Sequence, residues 1–162
     1  MGEAPRPHCC CASEDTPAPT APLACPACGG AGRAVEAPTL RALLQAPWAA
    51  DMGVGPWRFC DNPACDLVYF GAGGTYRRNQ LRVRVGIKET EAPRPLCYCF
   101  GHSVESLRDQ WQATGRLDAL EDVRAAVKAG RCRCDLENPS GACCLGDLLK
   151  AAQVIQASGT PP

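Results

Sequence analysis

The chain has 162 residues and a formal net charge of zero, with 17 basic and 17 acidic side chains. This balance gives no overall attraction to nucleic acid or anionic lipid, and no apolar run is long enough for a signal peptide or a membrane span. We therefore expect a cytoplasmic protein with neither nucleic acid nor a membrane as its partner. Only 6% of the residues are aromatic whereas 13 are cysteine, so cysteine chemistry is expected to stabilise the fold.

The N-terminal half predicts a disordered lead followed by a small β unit. Residues 1–22 are rich in Pro, Ala and Thr, and they include three adjacent thiols at positions 9–11. Residues 23–90 alternate short apolar runs with glycine-rich turns, which is typical of short strands. Within this segment "LRVRVGI", residues 81–87, alternates apolar and polar side chains and predicts a half-buried strand.

The C-terminal half predicts a helical unit over residues 91–157 and a disordered tail over residues 158–162. Ser103 is expected to cap a short helix. A capping box at residues 118–121 is expected to begin a second helix, which ends at Gly130. The letters "NPSG" predict a turn before a last helix.

Two pairs of cysteines in the β unit have the spacing of a tetrahedral zinc site. Cys25 and Cys28 are separated by two residues, and Cys60 and Cys65 by four. Each such pair forms a tight turn that offers two thiolates to one ion. An odd number of cysteines cannot all pair as disulfides, which favours metal over a disulfide framework. A scatter of buried reduced cysteines is the other alternative, and the presence of two correctly spaced pairs disfavours it. Since four thiolates leave no position for water, we expect a structural zinc site with a hairpin inserted between the pairs.

Six cysteines of the helical unit remain for a second centre: Cys97, Cys99, Cys132, Cys134, Cys143 and Cys144. Cysteines one residue apart point to opposite sides of an extended backbone, which suits a core larger than a single ion. A binuclear iron–sulfur cluster needs four thiolates around such a core, and the intervening helices would limit its access to solvent. The expected fold class is therefore α+β, a small zinc-ribbon-like β unit followed by a helical [2Fe-2S]-binding unit.

These motifs resemble those of a known family. The letters "CYC", a helical spacer and the later cysteines are similar to the [2Fe-2S] module of bacterioferritin-associated ferredoxin type. More closely, the chain resembles the N-terminal domain of the CopZ family over roughly residues 23–150. The resemblance rests on four segments in this order: "CPAC", "FCDNPACDLVYF", "RVRVGIKETEAPRPLCYC" and "CDLENPSGACC". Members of this family are bacterial and archaeal copper chaperones that carry zinc and an iron–sulfur cluster.

The resemblance implies the ligands of both centres. It implies zinc at Cys25, Cys28, Cys60 and Cys65, and a [2Fe-2S] cluster at Cys97, Cys99, Cys134 and Cys144. Cys134 is implied because it stands four residues before Asn138 of the NPSG turn, where the family's ligand stands. A register difference of two residues would make Cys132 the ligand instead.

One motif of the family is missing from this sequence. Two-domain members continue into a copper-binding domain with a Met-x-Cys-x-x-Cys loop, and neither Met1 nor Met52 precedes such a motif here. The resemblance is therefore to the family without its C-terminal copper-binding domain. We expect an iron–sulfur electron-transfer protein with a structural zinc, serving a redox or copper-handling protein partner.

Two other functions stay open on the sequence. A copper metallochaperone or metal sensor could use the surplus thiols, since Cu+ prefers thiolate ligands; these thiols are Cys9, Cys10, Cys11, Cys132 and Cys143. A structural interaction module with two zinc ions is the other alternative. An enzyme is not expected, because the chain has only two histidines, no carboxylate pair in a catalytic motif and no phosphate-binding loop.

Overall fold

The computed structural model describes residues 23–159, so the predicted lead at residues 1–22 and the end of the predicted tail lie outside the described residues. The strands and helices follow one another as β1 Arg33–Val35, α1 Ala37–Leu43, α2 Ala46–Ala50, β2 Trp57–Phe59, β3 Leu67–Gly71, β4 Gly74–Arg77, β5 Pro95–Cys97, β6 His102–Ser103, α3 Val104–Thr114, α4 Asp118–Lys128, α5 Cys134–Glu137 and α6 Leu145–Ser158. Two 3-10 turns occupy Arg78–Gln80 and Gly86–Lys88. This mixture of helices with a small antiparallel sheet confirms the α+β class.

The main sheet has four antiparallel strands in the order β1-β2-β3-β4. Strand β3 is buried along Leu67 to Phe70, because Val68 and Tyr69 pack in the apolar core and Leu67 and Phe70 pack with the buried cysteines. Tyr69 lies opposite Phe59 on β2, and their rings meet edge to face with centroids 6.1 Å apart. The sheet therefore has a dense aromatic centre despite the low aromatic content of the chain.

Between the two cysteine pairs, β1 and β2 form an antiparallel pair as the predicted hairpin would, but the segment that joins them contains the unpredicted helices α1 and α2 instead of a tight turn. Both helices carry a proline in the first turn, Pro38 and Pro47. Proline is favoured there since its missing N–H would have no partner inside the helix. The "EAPTL" and "QAPWA" segments thus contained a helix-start signal that the glycine-rich surroundings obscured.

The predicted strand over residues 81–87 is also wrong. Leu81 forms only an isolated bridge with Leu44, and the chain then turns into the 3-10 segment Gly86–Lys88. A side chain at Gly86 would meet the Pro95 carbonyl, with a Cβ only 1.8 Å from the oxygen, so the backbone is pressed against β5 at this point. Alternating apolar and polar side chains form a strand only where a neighbouring strand can pair with the segment. Beyond Arg82, no strand among the described residues pairs with residues 83–87.

The helical half agrees with three of its four local predictions. Ser103 caps α3, accepting a hydrogen bond from the Ser106 N–H at 3.1 Å. Gly130 ends α4 in the left-handed conformation, with φ of +65°. The NPSG turn closes with a 2.8 Å hydrogen bond from the Gly141 N–H to the Asn138 carbonyl.

The fourth of these predictions, the capping box at residues 118–121, is wrong. Leu117 is the N-cap of α4, and Asp118 lies within the first turn. The free N–H of Ala119 finds its acceptor in the Gln110 side chain of α3, at 3.1 Å. A tertiary contact therefore replaces the local cap.

The two halves of the molecule touch through helices α1 and α5. The Thr39 hydroxyl donates to the Asp135 carbonyl at 2.6 Å, and the Tyr69 hydroxyl donates to the Pro139 carbonyl at 2.8 Å. Both donors are fully buried, so these hydrogen bonds form in a dry contact. Across residues 23–159, no helix has the length and apolar character that crossing a membrane requires.

Candidate metal centres

Four cysteines from distant parts of the β unit converge on one point, and we call them the four-cysteine site: Cys25, Cys28, Cys60 and Cys65. Their sulfur atoms all lie within 4.8 Å of one another. The sulfurs of Cys25 and Cys65 are 3.9 Å apart, and those of Cys28 and Cys60 are 3.7 Å apart. A tetrahedral zinc site with Zn–S bonds of about 2.3 Å has sulfur–sulfur edges of about 3.8 Å, so these thiols have the separation that zinc requires.

Two tight turns hold the sulfurs in place. In the first, the Gly29 N–H donates to the Cys25 carbonyl and the Cys25 N–H donates to the Gly30 carbonyl, both at 2.8 Å. Gly29 has a φ of +71°, which glycine adopts without strain. In the second, the Asn62 side chain accepts from the Ala64 N–H at 3.0 Å. The four-cysteine site is thus formed by local turn chemistry at the ends of β2 and β3.

The electrostatics of the four-cysteine site are uneven. Hydrogen bonds from the Gly30 backbone and the Asn62 side chain stabilise the thiolate of exposed Cys28, lowering its pKa to about 6. Burial raises the pKa of Cys60 to about 12, although the positive charge of Lys88 acts in the opposite direction. Burial also raises the pKa of Cys65. Cys28 is therefore the thiolate that can first attract a cation, and the buried thiols release protons as metal binds.

A second set of four thiols lies at the edge of the helical core, and we call it the second thiol group: Cys97, Cys99, Cys134 and Cys144. Cys97 ends β5, Cys134 begins α5 and Cys144 is the N-cap of α6. The sulfur of Cys134 lies 3.8 Å from that of Cys99 and 3.9 Å from that of Cys144. The fold therefore gathers cysteines that are up to 47 positions apart in the chain, from Cys97 to Cys144.

The second thiol group is more extended than the four-cysteine site. No three of its sulfur atoms, all of which belong to described residues, lie within 4.8 Å of one another. Cys97, Cys134 and Cys144 are buried, whereas Cys99 is partly accessible. The Arg133 N–H donates to the Cys99 sulfur at 3.2 Å. This arrangement suits a core that is longer than a single ion.

Protons are shared unequally within the second thiol group. A hydrogen bond with Cys144 lowers the pKa of Cys97 to about 7. The same hydrogen bond, together with burial, strongly raises the pKa of Cys144. Burial raises the pKa of Cys134 to about 12. A metal core bound by these thiols would have to displace protons from the buried ones.

The remaining cysteines of the described chain lie beside this group. Cys132 is partly buried and packs against the helical core, and Cys143 is exposed. Cys134 touches both Cys99 and Cys144, and the choice between Cys132 and Cys134 as a cluster ligand stays a prediction. Cys9, Cys10 and Cys11 lie outside the described residues.

Comparison with known proteins places the chain in a family. Residues 22–82 match a family model described as the zinc-binding domain of CopZ. The chain is 33% identical to the copper chaperone CopZ of Archaeoglobus fulgidus over 124 residues, which are 75% of this chain and 58% of that protein. The X-ray structure of the N-terminal domain of the same Archaeoglobus fulgidus CopZ superimposes with a TM-score of 0.67 at 32% identity, over 79% of this chain and 96% of that domain.

The chain belongs to the CopZ N-terminal domain family. This confirms the family resemblance that the cysteine motifs indicated, at the level of the CopZ-like zinc-binding domain. The chain spans 58% of the length of the curated CopZ that it matches.

Sequence reasoning missed one residue beside the four-cysteine site, Lys88. Its side chain is only 3% exposed, and its ammonium donates to the carbonyls of Asn62 and Cys65 at 2.8 and 3.0 Å. Lysine is almost always exposed, so a lysine after "VGI" gives no local sign of burial. The sole hint was its position next to an apolar run that turned out to be buried in part.

Proposed function

We propose that this member of the CopZ family is an electron-transfer protein, with a [2Fe-2S] cluster held by the second thiol group and a structural zinc held by the four-cysteine site. When bound, such a cluster accepts and returns a single electron. An electron received from a reducing protein partner and passed to Cu²⁺ would give Cu⁺, the form of copper that thiolate ligands prefer. The similarity to the copper chaperone CopZ of Archaeoglobus fulgidus supports copper as the metal concerned.

The difference in shape between the two thiol groups is the observation that supports this proposal best. All sulfurs of the four-cysteine site lie within 4.8 Å of one another, as one tetrahedral ion requires. The second thiol group has close neighbours at 3.8 and 3.9 Å but no compact trio. Two metal ions bridged by sulfide need thiols in neighbouring pairs, spread over a longer core.

The residues around the second thiol group suit a redox centre. Cys97 and Cys144 are each about 1% exposed, and both belong to the same apolar cluster as Leu107 and Leu148. These apolar residues exclude water from one side of the second thiol group. Solvent access is one of the factors that set the reduction potential of an iron–sulfur cluster. Cys99 remains partly accessible, and the Arg133 N–H on its sulfur would stabilise the reduced, more negative state.

The four-cysteine site is proposed as a scaffold with no redox or hydrolytic role. Four thiolates complete the tetrahedral shell of zinc, so no position is left for water or substrate. Zinc itself changes no oxidation state. Its contribution is to connect the turn before β1, which carries Cys25, with the turn between β2 and β3, which carries Cys65.

A second candidate function is a thiol-rich copper metallochaperone or metal sensor. The exposed thiol of Cys143 and the partly buried thiol of Cys132 favour it, because both stand one or two residues from members of the second thiol group. Thiolates at such positions could receive Cu⁺ from solution.

Anaerobic purification of the full chain tests the proposal. We expect a red-brown protein with about two iron atoms and two acid-labile sulfides beside one zinc ion per chain, and an electron paramagnetic resonance signal after reduction by dithionite. A colourless protein with two zinc ions would instead support a structural module. Titration with Cu⁺ against a chelator distinguishes the chaperone, which would retain copper where a pure electron carrier releases it.

A further inference from the structure

Lys88 is a buried cation beside the four-cysteine site. Its ammonium donates to the Asn62 carbonyl at 2.8 Å and to the Cys65 carbonyl at 3.0 Å, so it sits against the backbone of the second cysteine turn. The same nitrogen lies 6.0 Å from the centre of the Phe59 ring, at the outer limit of a cation–π contact. With 3% of its surface exposed, the side chain is withdrawn from water.

No carboxylate neutralises this ammonium. Among the ion pairs that residues 23–159 form, none involves Lys88, and the neighbouring Glu89 is paired with Arg84 at 2.6 Å. Arg33, the other cation near the Phe59 ring, is paired with Asp61 at 3.6 Å and is half exposed. Lysine side chains are seldom fully buried unless they are paired with an opposite charge. Because no acidic side chain is paired with Lys88, we expect another negative group to lie near its ammonium.

The four-cysteine site can provide that negative group. Without metal the buried thiols are neutral and the site carries little charge, whereas four thiolates around one divalent ion carry a net charge of −2. Cys60 and Cys65, which flank the turn that Lys88 contacts, are both buried, so the excess charge would be poorly screened by water. The buried ammonium of Lys88 and an adjacent metal site with a net charge of −2 stabilise each other, most strongly on the side where Cys60 and Cys65 are buried.

We infer that Lys88 is the counter-charge of the four-cysteine site and that it raises the affinity of the site for a divalent metal ion. This inference rests on the proposed zinc site but not on the iron–sulfur cluster. The positive charge favours the metal-loaded site over the metal-free site, because only the loaded site is strongly negative. Lys88 thus acts on the metal through the ligands, as a positioning residue that touches neither substrate nor electron acceptor.

A purely structural role is the competing explanation. In that case the two hydrogen bonds to the Asn62 and Cys65 carbonyls would be all that matters, and they would stabilise the metal-free and metal-loaded chains alike. The two explanations differ in which property they require. If Lys88 acts as a counter-charge, its positive charge is required. If it acts as a structural clamp, meaning a side chain that only holds the Asn62 and Cys65 carbonyls in place, any hydrogen-bond donor would suffice.

Three substitutions separate charge from hydrogen bonding. Lys88→Gln retains a donor without the charge, Lys88→Arg retains both, and Lys88→Met removes both. The exposed Lys128 provides the matched control, Lys128→Met. Zinc affinity is measured on the full chain by competition with a chelator at constant pH, and thermal unfolding is followed for the zinc-loaded and metal-stripped forms.

We expect Lys88→Gln and Lys88→Met to bind zinc about 10- to 100-fold more weakly than the wild type, the range typical of groups that support metal ligands. Lys88→Arg and Lys128→Met should bind within about threefold of the wild type. The metal-stripped form of Lys88→Met should unfold at the same temperature as the stripped wild type or above it, since an unpaired buried charge has been removed.

Two results would overturn the inference. One is a Lys88→Gln variant with wild-type zinc affinity; the other is a Lys88→Met variant that loses equal stability in the loaded and stripped forms. Either would identify Lys88 as a structural clamp. Failure of the wild-type chain to take up zinc is a different result, and it would reject the proposed zinc site itself.

Discussion

The hydroxyl of Tyr69 donates a 2.8 Å hydrogen bond to the carbonyl of Pro139. Tyr69 lies at the centre of the four-stranded sheet, and Pro139 lies in the turn that separates Cys134 from Cys144. Both residues are fully buried. This hydrogen bond ties the turn that positions two members of the second thiol group to the sheet that carries the four-cysteine site, so the β unit supports the helical unit as well as its own metal.

Removing the hydroxyl of Tyr69 should therefore weaken metal binding at the second thiol group and leave the four-cysteine site unchanged. Tyr69→Phe retains the ring that packs on Phe59 but leaves a buried carbonyl without its donor, which costs about 1–3 kcal/mol of stability. We expect a lower unfolding temperature and faster loss of the visible absorbance of the cluster in air, with zinc content unchanged. Tyr76→Phe is the control, because Tyr76 lies in the same sheet and its hydroxyl makes no hydrogen bond to another described residue. Equal cluster lifetimes in both variants would contradict the proposed support.

Single cysteine replacements should show whether Cys132 or Cys134 is a ligand of the proposed cluster. Cys134→Ser should lower the iron content about tenfold or more, since its sulfur is the one that contacts both Cys99 and Cys144. Cys132→Ser should keep the iron, and both variants should keep zinc. Iron, sulfide and zinc analysis of freshly isolated protein is the measurement. Loss of iron from Cys132→Ser with retention in Cys134→Ser would move the ligand by two positions.

Replacement of a thiol in the four-cysteine site should strongly lower the stability of the β unit. Cys60→Ser is expected to lose the zinc ion, because a tetrahedral site with one ligand missing binds far more weakly. Metal binding contributes on the order of 10 kcal/mol to the folding of small zinc sites, so the unfolding temperature should fall strongly. Cys143→Ser, which changes an exposed thiol outside both groups, should melt like the wild type. An unchanged melting curve for Cys60→Ser would argue against a structural zinc.

An ion pair should make the loop that carries Cys97 and Cys99 sensitive to acid. Burial opposes ionisation of Glu105, but hydrogen bonds from the Arg94 N–H at 2.8 Å and its guanidinium at 2.9 Å outweigh this, so its pKa falls to about 2. The folded-state pKa lies below the ordinary value of about 4.3. The pair therefore stabilises the fold fully above that ordinary value, and this stabilisation is lost as the pH falls from about 4.3 towards 2.

Comparison of the wild type with Glu105→Gln measures this contribution. At pH 7 the variant should be about 1–2 kcal/mol less stable, a value kept small because both side chains are partly exposed. The difference between the two unfolding temperatures should shrink as the pH is lowered below about 4. Glu121→Gln, in a far more exposed ion pair with Arg124, should change stability little at any pH. A Glu105→Gln deficit that is constant down to pH 3 would show that the charge is not involved.

Local features of this protein were predictable where neighbouring residues satisfy one another. The Ser103 cap, the Gly130 helix end and the NPSG turn depend on hydrogen bonds and backbone angles within a few positions. The same holds for the separation of cysteines within each pair of the four-cysteine site, because a tight turn sets it. The family resemblance also came from such short motifs.

Features that need a distant partner were not predictable in this way. Residues 81–87 have the alternation of a strand but find no continuous neighbour, and Ala119 takes its hydrogen bond from Gln110 rather than from a local cap. Helix α1 has a short proline-marked sequence, and its contacts are with distant segments: Leu40 lies in the apolar core of the sheet and Thr39 donates to Asp135 of α5. Propensity and periodicity describe what a segment favours alone, and tertiary contacts decide between alternatives of similar free energy.

The amino-acid sequence by itself determined which thiols stand in pairs and which family the chain belongs to, since both follow from spacing along the backbone. The tertiary structure alone decided that Lys88 is buried against the Cys65 turn, that Cys134 rather than Cys132 contacts two other thiols, and that Tyr69 reaches Pro139. Each of these depends on burial, which depends on the packing of segments far apart in the chain. Burial also sets the strength of electrostatic interactions and hydrogen bonds. The properties of both thiol groups therefore depend on the tertiary structure.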